Sequence, residues 1–286
     1  MNEEARLMPS SREPENVFDG SGVPNMQNIN DVHEGDTVDS EGSITRKNGD
    51  FVPGDAFLRR WYDGLEEFVL GDHIEKGKHY SVVVVGSRNS GKSYLLGDWY
   101  KTFREKFDIN VLYSMSLNAP VYKERVLTEK DDFKTAVEGF QPKIMQALEK
   151  LQKELRSPLD ICQIFDDQVD FSRQKNSDEL VQMFIRGRNF KSTIVFFTQS
   201  VIALTPSSRE NIDYLVITRI RTPEMKENVI RKMLFHIVPT RSKTTNGKIA
   251  ELSKWLNFMT VDNEYSKLVI DFLNHDKIYK ISGNQK

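Results

Sequence analysis

Tyr80-Ser-Val-Val-Val-Val-Gly86-Ser-Arg-Asn-Ser-Gly91-Lys92-Ser93 sets four valines directly against a glycine-bounded loop that closes on Lys-Ser. Valine is β-branched and suits a pleated, buried surface, so Val82 to Val85 predicts a central strand. The residues Gly86, Ser87, Arg88, Asn89, Ser90, Gly91, Lys92 and Ser93 satisfy the phosphate-loop pattern, and a helix is predicted to follow from Ser93 to Lys106. The residue types match the task. Glycines let the backbone wrap a phosphate, successive N–H groups and the helix N-terminus face the anion, Lys92 reaches the β- and γ-phosphates, and the Ser93 hydroxyl joins Mg²⁺. The expected ligands are therefore ATP and Mg²⁺.

A phosphate loop needs a carboxylate for its metal, and Ile161-Cys-Gln-Ile-Phe-Asp166-Asp167 is an apolar strand ending in two acids. Asp166 is expected in the Mg²⁺ shell, and Asp167 where a carboxylate polarises the attacking water. Adjacent residues on a strand end point to opposite faces, which two roles require. Asp170 is a further candidate; solvated acids opening a loop are the plain alternative. Downstream, the apolar run Thr193 to Phe197 ends in Thr198-Gln199-Ser200. In an open α/β sheet the C-terminal strand ends face the ligand crevice, so Gln199 is placed to sense the γ-phosphate or orient water. Just before that strand, Phe184-Ile-Arg186-Gly-Arg188-Asn-Phe-Lys191 offers two arginines. Either Arg186 or Arg188 could reach a neighbouring subunit's nucleotide and neutralise transition-state charge, with surface salt bridging or DNA contact as the alternative.

Around these blocks, strand-like and helix-like segments alternate, the pattern of an α/β domain with a mainly parallel central sheet flanked by helices. Strands are predicted at Tyr80 to Val85, Asn110 to Ser114, Asp160 to Phe165, Ser192 to Thr198 and Asp213 to Thr218, with Leu268 to Phe272 and Lys277 to Ile281 extending one edge. Pro142 suits a first helical position, and Ile144, Leu148, Leu151 and Leu155 read as the buried stripe of that helix. Ser177 reads as a cap for a helix over Asp178 to Arg186, and Thr222-Pro223 opens another carrying Met225, Val229, Met233 and Leu234.

The 286 residues have a formal charge of −2 that conceals an asymmetry. Residues 1–50 hold 4 basic and 11 acidic side chains, net −7, which leaves 36 basic and 31 acidic, net +5, for the remainder. Rich in Asn, Asp, Glu, Ser, Gly and Pro, residues 1–50 are expected to form a disordered acidic tail. Residues 51–77 read as a lead-in, with an amphipathic helix over Phe51 to Gly71 that packs on the main domain or serves a subunit contact, and residues 78–282 as the phosphate-loop domain. Within that domain Arg219 to Lys254 carries 9 basic and 3 acidic residues, either a surface for a polyanion such as nucleic acid or a solvated helix face. The single cysteine, Cys162, lies in an apolar run, which excludes a disulfide framework within one chain and fits core packing in a reduced, intracellular setting. No apolar run approaches the ~20 residues of a membrane span, and the acidic N-terminus lacks a secretory pattern.

Taken in order, the loop Gly86 to Ser93, the strand with Asp166-Asp167, the Arg-Gly-Arg-Asn-Phe block leading to Thr198-Gln199, and Ser208-Arg-Glu-Asn211-Ile-Asp213 resemble the poxvirus-type DNA-packaging ATPases of large DNA viruses, within the FtsK/HerA superfamily. The resemblance spans roughly residues 78–282 and leaves the acidic tail and the lead-in uncovered. It implies a RecA-like P-loop NTPase core, assembly as a ring of five or six subunits, and movement of double-stranded DNA into a capsid, with a capsid or portal component as a further partner. It also implies work inside the infected cell at the site of virion assembly. A functional glutamine ending the strand that follows the acid-bearing one, and an arginine just upstream, are features of that superfamily, which implies roles for Gln199 and for Arg186 or Arg188. The family's basic-aromatic pair has its counterpart at Arg188-Asn189-Phe190, without the histidine, and Arg209 and Asn211 have no assigned role. Two other functions fit the loop: a small-molecule kinase with an arginine-rich lid over Ile220 to Lys254, and a non-catalytic nucleotide-dependent adaptor that docks a partner through its N-terminal region.

Overall fold

The structure is a computed structural model that describes residues 32–117, 120–125, 135–138, 142–166, 177–263 and 265–283. Three short strands come first, β1 (Thr37–Val38), β2 (Ile44–Thr45) and β3 (Phe51–Val52), forming a small antiparallel sheet in chain order. Helices α1 (Asp55–Asp63) and α2 (Leu70–His73) precede β4 (Ser81–Val85) and α3 (Lys92–Lys106). Next come β5 (Ile109–Ser114), α4 (Pro120–Arg125), β6 (Thr135–Glu138), α5 (Pro142–Glu154), β7 (Ile161–Asp166), α6 (Ser177–Arg186) and β8 (Ser192–Thr198). The remaining elements are α7 (Pro206–Glu210), β9 (Tyr214–Ile217), α8 (Pro223–Val229), α9 (Thr245–Asn257), β10 (Lys267–Asp271) and β11 (Lys277–Ile281).

The main sheet has the order β11-β10-β9-β4-β8-β7-β5-β6. All pairings from β9 to β6 are parallel, and β10 and β11 add antiparallel at one edge. Four consecutive valines of β4 are fully buried, which requires cover on both faces of the sheet. Val82 and Val84 share a core cluster with Leu95, Leu96 and Phe103 of α3 on one face. Val83 and Val85 share another with Phe184, Val229, Leu252 and Trp255 on the other. The predicted mainly parallel α/β architecture is present; β6 is a strand that the sequence pattern did not announce.

The N-terminal expectation fails over residues 32–50, where the chain folds instead of trailing as a disordered tail; residues 1–31 lie outside the described residues. The acids that made this segment look unfoldable serve as hydrogen-bond acceptors. The Asp39 carboxylate accepts from the N–H groups of Glu41 (2.9 Å) and Ser43 (2.8 Å) and shapes the first turn. Asp50 accepts from the Thr244 N–H at 3.0 Å and the Thr244 hydroxyl at 2.8 Å, at the start of α9. A Cβ on Gly247 would sit 2.1 Å from Asp50 Oδ1, so glycine is required for this approach. Composition averages over such contacts, which join residues about two hundred positions apart in sequence.

The lead-in also departs from one helix over Phe51 to Gly71. Phe51 and Val52 are strand, and α1 ends at Asp63, with Gly64 as its C-cap. Leu58, Trp61 and Tyr62 pack on the α9 side of the sheet, whereas Phe68 joins the core on the α3 side. Between them the chain rounds the β11 edge. Phe68 N–H donates to Lys280 O at 2.7 Å and Lys280 N–H to Glu66 O at 3.0 Å, which covers backbone groups that an edge strand would otherwise expose.

The α5 stripe is rotated from its expected register. Met145 is buried and Ile144 and Leu148 half-buried, but Leu151 is 37% exposed and Gln152 takes the inward place. Gln152 bonds the Leu159 N–H (2.9 Å) and the Phe190 carbonyl (3.0 Å), tying the turn before β7 to the turn before β8. Ser177 is the first residue of α6 itself. Thr222 caps α8 through Met225 N–H at 3.4 Å as expected, and Cys162 is a buried free thiol.

Candidate functional site

At the C-terminal end of β4 the chain turns through residues 86–91 into α3. Asn89 (φ 57°) and Gly91 (φ 85°) are left-handed, the conformation that turns successive N–H groups toward one side. Gly86 is required for a different reason: a Cβ there would lie 1.8 Å from Thr218 Oγ1. Thr218, which follows β9, buttresses the loop. Its N–H donates to Val85 O at 2.8 Å, and its hydroxyl lies 2.6 Å from Ser90 Oγ. The same strand exit supplies Arg219 O, which accepts from Ser87 N–H at 2.9 Å, and Arg221 N–H, which donates to Ser87 Oγ at 2.8 Å. Lys92 Nζ donates to Gly86 O (2.8 Å) and Ser87 O (2.9 Å), so its ammonium is held over the loop, where a phosphate would meet it. Arg88 is exposed on the loop, and Ser93 lies in the first turn of α3.

The other flank of the loop is built by β8 and β7. β8 lies between β4 and β7, and Gly86 N–H donates to Thr198 O at 3.2 Å, so Gln199 follows directly beside the loop. Asp166 ends β7, two strand spacings or about 10 Å from β4. It shares the parity of Cys162 and Ile164, which face α3, and is therefore aimed to the face carrying the helix that holds Ser93. It is buried, and the Tyr122 hydroxyl of α4 donates to its Oδ2. Tyr122 was not legible in the sequence, because the α4 contact depends on how the chain returns over the sheet. Asp167 and Asp170 lie outside the described residues.

The two arginines stand at the opposite end of the sheet. Arg186 ends α6 and Arg188 sits in the short 3-10 turn before β8, both exposed. The seven residues of β8 separate them from Gln199 by roughly 20 Å, so neither reaches the loop of its own chain. Arg188 instead pairs with Asp213, whose other oxygen accepts from Ser81 N–H at 2.8 Å. Burial pushes the Asp213 carboxyl above its ordinary range, with the Ser81 N–H and Arg188 opposing the shift. Arg209 and Asn211 direct their donors to main-chain carbonyls, Arg209 to Leu204 O at 2.5 Å and Asn211 to Ser207 O at 2.8 Å.

The basic stretch from Arg219 to Lys254 does not form one stripe. Arg231 pairs with Glu227 at 2.6 Å, and Arg241 lies over the Phe51 and Phe57 rings at 4.9 and 4.7 Å. Arg219, Arg221, Lys226 and Lys254 converge instead on one cleft beside the loop. Among the described residues no group of three or more His, Cys, Asp or Glu is placed to hold a metal by itself. One carboxylate and one hydroxyl, Asp166 and Ser93, fit Mg²⁺, which keeps oxygen ligands from substrate phosphate and water.

A phosphate loop at the C-terminal edge of a mostly parallel sheet, with an acid two strands away and the intervening strand ending in a polar residue beside the loop, defines a P-loop NTPase fold. Residues 71–275 match the family model described as "Poxvirus A32 protein", and the chain belongs to that family, the packaging-ATPase group its motifs resemble. No curated protein sequence matches the chain. Among solved structures, the genome packaging NTPase B204 of Sulfolobus turreted icosahedral virus 2 in complex with AMPPCP superposes with a TM-score of 0.52 at 16% identity, covering 73% of this chain and 99% of that one. B204, the DNA-packaging ATPase of Sulfolobus turreted icosahedral virus, gives 0.51 at 16% identity, over 73% and 98% of the two chains. At that identity the likeness is one of fold. Among the described residues no helix is long and apolar enough to cross a membrane.

Proposed function

We propose that the protein is an ATP-hydrolysing motor that translocates double-stranded DNA and packages a viral genome into a capsid, working as a ring in the infected cell. One observation carries the reading: a single edge of the sheet gathers Lys92, Ser93, Gln199 and Asp166, while Arg186 and Arg188 stand at the other end. The loop N–H groups, with Lys92, hold the phosphates; Gln199 senses or orients at the γ-phosphate; Asp167 polarises water. Ser93 and Asp166 would hold Mg²⁺, which would supply neutralisation of phosphate charge. An arginine this far from its own loop, acting on a nucleotide, acts on a neighbour's, which calls for a head-to-tail contact, the kind that closes into a ring. Tyr94 and Met115, each 60% exposed, and Ile202, 51% exposed, crown the loop edge with apolar surface suited to such a neighbour. Membership in the A32 family and the packaging role printed for B204 support the DNA substrate.

The deciding experiment is ATP hydrolysis with and without duplex DNA over a salt series, with Lys92→Ala and particle sizing in ATP alongside. Turnover that needs Lys92, rises with DNA, loses that stimulation at high salt and accompanies ring-sized particles is expected. Hydrolysis indifferent to DNA, or retained by Lys92→Ala, contradicts the motor.

A further inference from the structure

The phosphate loop has two flanks. Asp166 and Gln199 lie on the β8 and β7 side, which is where a γ-phosphate must point for hydrolysis. The rest of a nucleoside triphosphate must then leave toward β9. On that side lies a cleft of about 510 Å³, lined by Asp55, Arg219, Arg221, Lys226, Lys254 and Asp262 among others. No gap separates it from the loop, because Ser87 bonds Arg219 O and Arg221 N–H directly.

We infer that this cleft is the nucleoside subsite, with the Arg219 and Arg221 guanidinium planes stacking on the base and the acids of the wall accepting from ribose hydroxyls. The inference rests on the proposed ATP site. Its volume falls within the roughly 300–1,000 Å³ of small-ligand pockets. The guanidinium groups of Arg219 and Arg221 are exposed and form no hydrogen bond or ion pair among the described residues, so they are free to engage a ligand. The deeper cations are already committed. Lys226 is buried and donates to Asn257 Oδ1 at 2.5 Å; Lys254 lies in the fields of Asp55 and Asp262. Burial lowers the proton affinity of both amines and raises that of Asp262, a balanced wall rather than a strip of solvated cations. Such a recess suits a neutral, planar, hydroxylated group better than the backbone of a duplex, whose phosphates need exposed cations.

The test is calorimetric titration of the full chain with ATP and, separately, inorganic tripolyphosphate, both with magnesium, for wild type, Arg219→Ala/Arg221→Ala and Arg219→Lys/Arg221→Lys. The alanine pair is expected to weaken ATP about tenfold while tripolyphosphate stays within about twofold, since only the nucleoside loses its stacking partners. The lysine pair, which keeps charge but not the plane, should retain most of the ATP loss. Equal weakening of both ligands, no weakening of either, or full recovery with lysine overturns the subsite. Wild type that binds neither ligand removes the ATP site itself and the inference with it.

Discussion

The two ends of the central sheet are built from the same strands and hold similar residue types, yet they do opposite things with them. At the N-terminal end carboxylates are bonded within the chain: Asp213 pairs with Arg188 and accepts from Ser81 N–H, and Asp108 accepts from the Asp160 N–H at 2.9 Å. At the C-terminal end Lys92 donates to loop carbonyls, and Arg88, Arg219 and Arg221 stand exposed around Ser87. These carboxylates tie neighbouring strand entries together, β9 to β4 and β5 to β7, and the open arrangement at the other end leaves cations facing a crevice. An arginine's distance from the loop in sequence therefore does not tell which end of the sheet it stands at.

Variants at each end can break this contrast. The largest effect is expected at the proposed trans-acting arginine: Arg186→Ala or Arg188→Ala should lower DNA-stimulated kcat about 10³-fold without weakening nucleotide binding. Doping that variant into wild-type rings should poison them; if both variants keep full turnover, no arginine acts across subunits. Next, Asp166→Asn should lower kcat about 10²-fold with ATP still bound, read by parallel turnover and binding assays. Unchanged turnover would remove Asp166 from the proposed metal site.

At the locked end the readout is stability. Asp213→Ala strands the buried Ser81 N–H and should cost about 1–3 kcal/mol in denaturant unfolding, with tripolyphosphate affinity intact. A fall in that affinity would show that the two ends are coupled. The smallest expected effect is a pH slope at His79. Both its ring nitrogens are buried and without a hydrogen-bond partner among the described residues, and Asp160 Oδ1 lies 3.6 Å from Nε2. Burial outweighs the pull of Asp160 and depresses the imidazole below its ordinary 6.5. As pH falls through 6.5 the unfolded chain takes a proton that the folded chain refuses, so stability drops toward the folded value. His79→Leu should flatten the dependence of Tm between about pH 7.5 and about pH 5.5; an unaltered slope would assign it to other groups.

Much of the active end could be read locally. Val82 to Ser93 announces strand, loop and helix because each signal lies within a few residues of the next. Asp166 and Gln199 were legible as strand ends, since a parallel sheet puts all such ends along one edge. Thr218 and Tyr122 were not. Thr218 matters only because β9 happens to flank β4, and its sole local signal was a polar residue closing an apolar strand. Tyr122 lies in a segment whose helix leaves no strong periodicity. The small N-terminal sheet was misread because Asp39 and Asp50 look like solvating charges until the groups they cap are known.

Residue order by itself determined the phosphate loop, the strands that carry the acid and the glutamine, and the family, because these depend on short-range spacing and backbone chemistry. Only the tertiary structure decided which strands adjoin, that Gly86 is needed beneath Thr218, that Arg186 and Arg188 lie away from their own loop, and that Arg219 and Arg221 frame a cleft beside it. Those facts follow from strand order and from contacts between residues far apart in the chain, where hydrogen-bond satisfaction and burial select one arrangement from many that local pattern allows.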